Sequence, residues 1–92
     1  MSDPSSVLDR AWAVSPQVSV RPESFGALLY HFGTRRLSFL KDRRLLDVVQ
    51  HLDGAATARE ACLAAGLTCE QLPAYDRALA TLISTDMLRE RA

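Results

Sequence analysis

Two histidines and two cysteines are the side chains of this 92-residue sequence best suited to nucleophilic catalysis or metal binding. His31 falls in an apolar run that is typical of a strand, whereas His51 falls near the end of a helical pattern, so the two imidazoles belong to different elements. Six residues separate Cys62 from Cys69, which is unlike the close cysteine pairs of zinc and redox motifs. We therefore expect two buried, reduced structural thiols, no metal site, no cofactor and no catalysis by this chain.

The composition is typical of one small globular domain. Hydrophobic residues make up 48% and charged residues 24%, and eleven basic side chains balance eleven acidic ones, which is ordinary globular usage. The longest apolar runs are far shorter than the ~20 residues that span a bilayer, and the start of the chain does not resemble a signal peptide. These features predict a cytoplasmic protein with a flexible N-terminal arm over residues 1–10 and a single domain over residues 11–92.

The zero net charge hides an uneven distribution of charge along the chain. Residues 1–34 sum to minus one, residues 35–44 to plus four and residues 45–92 to minus three. The excess arises from five side chains, here termed the basic cluster: Arg35, Arg36, Lys41, Arg43 and Arg44. Two arginines in the first turn of a predicted helix oppose its dipole. The alternative is an ordinary solvated strand end and helix start, but an anionic partner explains the cluster better.

Alternating and apolar runs in the first half of the chain predict three strands. Residues 17–21 alternate polar and apolar side chains between Pro16 and Pro22, which predicts a short strand with a proline at each boundary. Residues 25–32 and 35–40 follow as apolar runs around a glycine and a threonine, which predicts a β-hairpin.

The hairpin turn predicts the register of the two strands. A two-residue type II′ turn takes glycine at its first position, and Gly33 fits that position. The resulting ladder pairs Tyr30 with Leu37 and Leu28 with Phe39 on one face. Because this face carries two aromatic rings and two leucines, we expect it to face the core, with the other face partly exposed.

Three helices follow the hairpin. Asp42 can cap the first helix, and capping boxes at residues 57–60 and 68–71 precede the second and third, with Gly66 ending the second. The third is expected to begin at Pro73. Apolar stripes predict the buried residues Leu45, Val48, Val49 and Leu52 in the first helix and Tyr75, Leu79, Leu82 and Ile83 in the third. The fold class is α+β, with a three-stranded antiparallel sheet followed by three helices in a winged helix-turn-helix-like arrangement.

This outline also suits a DNA-binding regulator, which is the alternative function. The segment where a recognition helix would lie carries Glu70, Asp76 and Asp86 against Arg77, and such a helix repels phosphate. A structural subunit of a larger enzyme is a third possibility. A peptide-binding domain fits better, because the last strand of the sheet has one unpaired edge to which an extended peptide can add.

The segments SPQVSVRPE (residues 15–23), FGALLYHF (residues 25–32) and TRRLSFL (residues 34–40) carry a family resemblance. They resemble the PqqD-like peptide-recognition domains, also called RiPP recognition elements, and more closely the mycofactocin biosynthesis chaperones. The resemblance rests on less than a third of the chain, but its segments are specific. The alanine-rich second helix fits the family without being diagnostic.

The resemblance implies a noncatalytic chaperone that binds the acidic leader of a short, ribosomally made precursor peptide. It presents this peptide to a radical S-adenosylmethionine maturase, which decarboxylates and crosslinks the peptide's C-terminal Val-Tyr on the route to a redox cofactor. Nucleic acid and membrane are not expected as partners. Family members hold the leader as an added strand against the third strand and third helix, which here implies contacts from Arg36, Leu37, Ser38, Phe39, Leu40, Tyr75, Leu79 and Leu82, with Arg35, Arg36 and Arg43 as electrostatic contacts. The alternative is that Leu37, Phe39, Leu79 and Leu82 serve the core alone.

Overall fold

The computed structural model describes residues 6–91 and confirms the predicted α+β fold class. This part of the chain contains three α-helices, α1 (Arg43–His51), α2 (Ala58–Ala64) and α3 (Leu72–Ser84). Its strands are β1 (Trp12–Val14), β2 (Val18–Glu23), β3 (Gly26–His31), β4 (Leu37–Leu40) and β5 (Leu88–Glu90). Strands β2, β3 and β4 form a three-stranded antiparallel sheet in that order, and β1 pairs with β5 in a second, two-stranded sheet.

The predicted pairing of the hairpin is confirmed, since Tyr30 lies opposite Leu37 and Leu28 opposite Phe39.

The strand before the hairpin was predicted to end before Pro22, and this prediction is wrong. β2 continues through Pro22, which pairs with Ala27. A proline is tolerated there because β2 is at the edge of the sheet, where a residue can lack its N–H without breaking the ladder.

The turn of the hairpin differs from the predicted two-residue turn. β3 ends at His31, whose backbone N–H donates to the carbonyl of Arg36, and this hydrogen bond closes a loop of four residues, 32–35. The positive φ falls on Arg35, at 62°, and not on Gly33. The reason is the His31 side chain, whose Nδ1 accepts the backbone N–H groups of Gly33 and Thr34 at 3.0 Å each. His31 thus supplies the acceptors that a tighter turn would have supplied from the backbone.

The sheet face that packs against the core is the opposite of the one predicted. Ala27, Leu29 and Leu40 are buried in the core, whereas Leu37 and Phe39 are 55% and 57% exposed. Both faces of the hairpin are apolar, so the two-residue period identifies which side chains share a face without showing which face the helices cover. Here α1 packs on β3 and β4, and it covers the side with the smaller, aliphatic side chains.

The caps of the first two helices and the core residues of the first helix match the predictions. Asp42 caps α1 by accepting the backbone N–H of Arg44 at 2.8 Å, and Thr57 caps α2 by accepting that of Glu60 at 3.2 Å. Gly66 follows α2 with a φ of 93°, the left-handed conformation that ends helices. The residues predicted for the core are buried: Leu45, Val48, Val49 and Leu52.

The third helix begins one residue earlier than predicted, at Leu72, with Pro73 in its first turn, where a missing N–H costs no hydrogen bond. The predicted capping box precedes it, and Gln71 Oε1 accepts the backbone N–H of Thr68 at 2.9 Å. One expectation about the thiols is wrong. Cys62 is buried, but Cys69 is exposed, because it lies in the short 3₁₀ turn at Cys69–Gln71 and not on a packed helix face.

The two-stranded sheet was not predicted. Trp12 lies opposite Glu90 and Val14 opposite Leu88, and strands of three residues are too short to show a period. The described part of the expected arm also packs on the domain, since Leu8 joins the core and Asp9 forms an ion pair with Arg59 at 3.1 Å. Residues 1–5 of that arm lie outside the described residues. Within residues 6–91, no helix has the length and apolar character needed to cross a bilayer.

Candidate functional site

The free edge of β4 is the first component of the candidate site. Within the described part of the chain, β4 pairs only with β3. The backbone N–H of His31 donates to the carbonyl of Arg36 at 2.9 Å, and hydrogen-bonded and non-bonded pairs alternate along an antiparallel ladder. The backbone groups of Leu37 and Phe39 therefore point away from β3, towards the free edge.

A groove runs beside this edge, between β4, α1 and α3. Its larger recess has a volume of about 350 Å³ and is lined by Ser38, Phe39, Leu40, Leu45, Ala78, Thr81 and Leu82. A second recess of about 270 Å³ is lined by Lys41, Asp42, Leu45, Ala74, Tyr75 and Ala78. Leu45 and Ala78 line both recesses, so the two form one mainly apolar groove beside an edge with unpaired backbone groups.

Tyr75 and Asp42 face each other across the second recess. The Tyr75 hydroxyl donates a hydrogen bond to Oδ2 of Asp42, which ties α3 to the start of α1. Burial, followed by this hydrogen bond, raises the pKa of Tyr75 to about 12. The phenol is therefore neutral at physiological pH and acts there as a hydrogen-bond donor.

The basic cluster lies at the two ends of β4. All five of its side chains belong to exposed residues. Over residues 6–91, the ion pairs join Arg10 to Glu90, Arg21 to Glu23 and Arg59 to Asp9, and none involves a member of the cluster. These charges remain available to an anionic partner, with only Asp42 among them as a counter-charge.

The structure brings together most of the side chains that the sequence singled out. Ser38, Leu40, Tyr75 and Leu82 line the groove, and Phe39 borders its larger recess while its ring lies near Phe25 on the exposed sheet face. Two others differ in position: Leu37 projects from the exposed sheet face, and Leu79 is fully buried in the core. Peptide contact by any of these residues stays a prediction.

The sequence reasoning missed three residues that line the larger recess, Leu45, Ala78 and Thr81, and it missed Asp42 and Ala74 in the second recess. Ala74 and Ala78 lie one turn apart on α3 beside Tyr75. Small side chains next to an aromatic ring leave space against a helix surface, and this spacing was the available signal. Leu45 was assigned only to the core because one stripe of α1 serves both the core and the groove.

The remaining reactive side chains have structural roles. His31 is 6% exposed and accepts turn hydrogen bonds, and burial raises the pKa of the Cys62 thiol, which makes it a poor nucleophile at neutral pH. His51 Nδ1 lies 2.7 Å from the carbonyl of Asp47 in its own helix. Within residues 6–91, no group of three or more His, Cys, Asp or Glu side chains is arranged to hold a metal ion.

The free edge, the groove and the basic cluster are all features that a peptide partner can use, and comparison with known proteins also indicates a peptide partner. Residues 11–89 match the family model described as the peptide chaperone MftB family. The chain belongs to this family. Its role is accordingly that of a noncatalytic peptide chaperone, and mycofactocin is the context that the family name supplies.

Curated relatives share most of the chain. The protein named peptide chaperone MftB from Mycobacterium tuberculosis is 56% identical over 90% of this chain and 76% of its own length. Its namesake from Mycobacterium ulcerans is 52% identical over 87% of this chain and 73% of its own length. That from Mycolicibacterium smegmatis is 51% identical, again over 87% of this chain, and over 78% of its own length. No solved structure matches the chain.

Proposed function

We propose that this chain binds the leader of a short, ribosomally made precursor peptide as a strand added to β4, and presents it to a radical S-adenosylmethionine maturase in mycofactocin biosynthesis. The observation that carries the proposal is the free edge of β4 beside an apolar groove. The relatives named peptide chaperone MftB support it. A ribosomal product meets its chaperone where it is made, and we therefore place the encounter in the cytoplasm.

In strand addition, backbone groups supply affinity and side-chain contacts supply specificity. The outward N–H and carbonyl groups of Leu37 and Phe39 supply hydrogen bonds that do not depend on the peptide's sequence. Successive side chains of an added strand point to opposite faces. Every second side chain of the peptide would therefore enter the groove between β4 and α3, where Leu40, Ala78 and Leu82 favour apolar groups.

The basic cluster supplies the electrostatic part of recognition. Its arginines and lysine flank β4, and they are exposed and without ion pairs among the described residues. An acidic leader would be steered to the edge by these charges, with an association rate that falls as salt is added. Asp42 lies within the same segment but is occupied by Arg44 and Tyr75, which limits its repulsion of an acidic peptide.

The consequence of binding is proximity. A leader held on β4 keeps the reactive end of its peptide at a high effective concentration near any enzyme that binds the same chaperone. The chain needs no catalytic group for this role, because the bond-breaking chemistry belongs to the enzyme.

Isothermal titration calorimetry with a synthetic acidic precursor peptide tests the proposal. We expect saturable binding whose affinity falls between low and high salt, and we expect a scrambled peptide of equal charge to bind more weakly. No saturable binding at high micromolar peptide would overturn the proposal. A gel shift with duplex DNA at low salt checks the regulator alternative, which predicts salt-sensitive binding; we expect none.

A further inference from the structure

The exposed face of the three-stranded sheet is apolar over β3 and β4, although it lies on the side away from the core. Over β2 the same face is polar, because Ser19 and Arg21 lie opposite Tyr30 and Leu28. We call the apolar part of this face the outer face, and it consists of Phe25, Leu28, Tyr30, Phe32, Leu37 and Phe39. Residues 6–91 contain five large hydrophobic side chains that are exposed, and four of them belong to this face: Phe25 (47%), Phe32 (61%), Leu37 (55%) and Phe39 (57%). Exposed apolar side chains that cluster on one surface are a feature of interaction sites.

The aromatic side chains of the outer face lie against one another. The rings of Phe25 and Phe39 lie 6.3 Å apart, and those of Tyr30 and Phe32 lie 5.2 Å apart edge to face. Leu28 and Leu37 complete the cross-strand pairs with Phe39 and Tyr30. Aromatic side chains bury a large area on binding and have only two rotatable side-chain bonds, so they lose little conformational entropy and contribute strongly to protein interfaces.

The outer face is continuous with the edge proposed for the peptide. Leu37 and Phe39 present their backbone groups to the free edge and their side chains to the outer face. Residues directly opposite each other in neighbouring strands point to the same face. A peptide added to β4 would place every second side chain beside Leu37 and Phe39, so that the loaded chaperone has a wider outer face than the empty one.

We propose that the outer face is the docking surface for the enzyme that modifies the bound peptide, and that this enzyme binds the loaded chaperone more tightly than the empty one. The inference rests on the proposed function, and the enzyme is the occupant that has to contact chaperone and peptide together. Arg35, exposed at the hairpin end beside Phe32, places a positive charge at the rim. The matching surface on the enzyme is apolar at its centre and acidic at that rim.

Two substitutions in the outer face test the proposal without touching the groove. Phe32→Glu changes a side chain in the loop and keeps the hydrogen bond that the backbone N–H of this residue donates to the carbonyl of Gln17. Leu28→Gln changes a side chain at the centre of the outer face. Leu63→Glu is the matched control, since Leu63 is 47% exposed on α2. For each full-length variant, thermal melting checks folding and calorimetry measures affinity for the synthetic precursor peptide.

Binding of the mycofactocin radical S-adenosylmethionine maturase is then measured with and without that peptide. In the wild type we expect the peptide to lower the Kd for the maturase by about fivefold or more. Folded Phe32→Glu and Leu28→Gln variants should bind the peptide as the wild type does, but their affinity for the maturase should be lower by about tenfold or more. Leu63→Glu should keep the wild-type affinity for the maturase.

Three results would overturn the inference. The first is maturase affinity unchanged in both outer-face variants, and the second is maturase affinity in the wild type that does not respond to peptide. The third is a wild-type dimer, seen by sedimentation, that both variants convert to monomer while they keep their maturase affinity, since the outer face would then serve a second copy of this chain. Absence of peptide binding by the wild type is a separate result, and it would instead remove the proposed function.

Discussion

The carboxylate of Asp42 joins two helices, because its Oδ1 caps α1 through the N–H of Arg44 at 2.8 Å and its Oδ2 accepts the hydroxyl of Tyr75 on α3. Both helices border the groove beside β4. The link therefore sets the width of the groove at one end, and it engages the acidic side chain that lies within the basic cluster.

Removal of the Tyr75 hydroxyl should loosen this end of the groove. We expect Tyr75→Phe to lower the free energy of unfolding by about 1 kcal/mol, the usual net contribution of one hydrogen bond. Urea unfolding at neutral pH measures the loss. Thr81→Val is a comparison on the same helix, because the Thr81 hydroxyl bonds only within α3, to the carbonyl of Arg77. Equal stability of Tyr75→Phe and wild type would show that the link contributes nothing.

The same link predicts a pH dependence. The pKa of Tyr75 rises from 10.0 to about 12 on folding, so the folded state holds the phenolic proton more tightly than the unfolded state. The resulting stability is fully present below about pH 10 and is lost as the pH rises through about 12. We expect the stability difference between wild type and Tyr75→Phe to shrink over this window. An ultraviolet titration should show a late tyrosinate step in the wild type that Tyr75→Phe lacks.

The ladder alternation predicts opposite effects of proline at neighbouring positions of β4. The N–H of Leu37 points to the free edge, so Leu37→Pro should leave the sheet intact and weaken peptide binding about tenfold. Leu37→Ala is its control, because it removes the same side chain and keeps the N–H. Ser38→Pro removes a donor that faces β3, and it should destabilise the fold by roughly 2 kcal/mol or more. Equal peptide affinity for Leu37→Pro and Leu37→Ala would argue against strand addition.

Charge reversal in the basic cluster should weaken binding of an acidic peptide. We expect Arg36→Glu to lower affinity severalfold to about tenfold at low salt, and less at high salt. Arg89→Glu makes the same change of charge on β5, outside the cluster, and should have little effect. Calorimetry at two ionic strengths separates the two variants. A similar loss for both would indicate that net charge, and not the position of the cluster, governs recognition.

Gly26 should resist substitution because β3 passes close to the end of β4. Its φ is 151°, and an added Cβ would meet the carbonyl oxygen of Leu40 and the backbone nitrogen of Asp42. We expect Gly26→Ala to destabilise the fold by roughly 2 kcal/mol or more. An added Cβ at Gly54 meets nothing within 4 Å, so Gly54→Ala should be close to neutral. Chemical denaturation compares the two variants, and a stable Gly26→Ala would contradict the close approach.

Local signals in the sequence were sufficient for much of the fold. Helix caps at Asp42 and Thr57 depend on neighbouring residues only, and both were predicted. The pairing of Leu28 with Phe39 was also predicted, although the turn that connects their strands was not. The predicted two-residue turn and the observed four-residue loop give the same register, because the loop includes one more residue at each end of the turn and the two strands shorten equally.

For the candidate site, the sequence by itself determined the composition of β4 and the basic cluster, because both lie within one short segment of the chain. Only the tertiary structure decided which face of the sheet is covered, that β1 pairs with β5, and that Ala78 and Thr81 reach the groove. Local patterns could not settle these points, since both faces of the hairpin are apolar and the other contacts join residues far apart in the chain. Which apolar face is buried depends on where the helices pack, and that is a property of the whole domain.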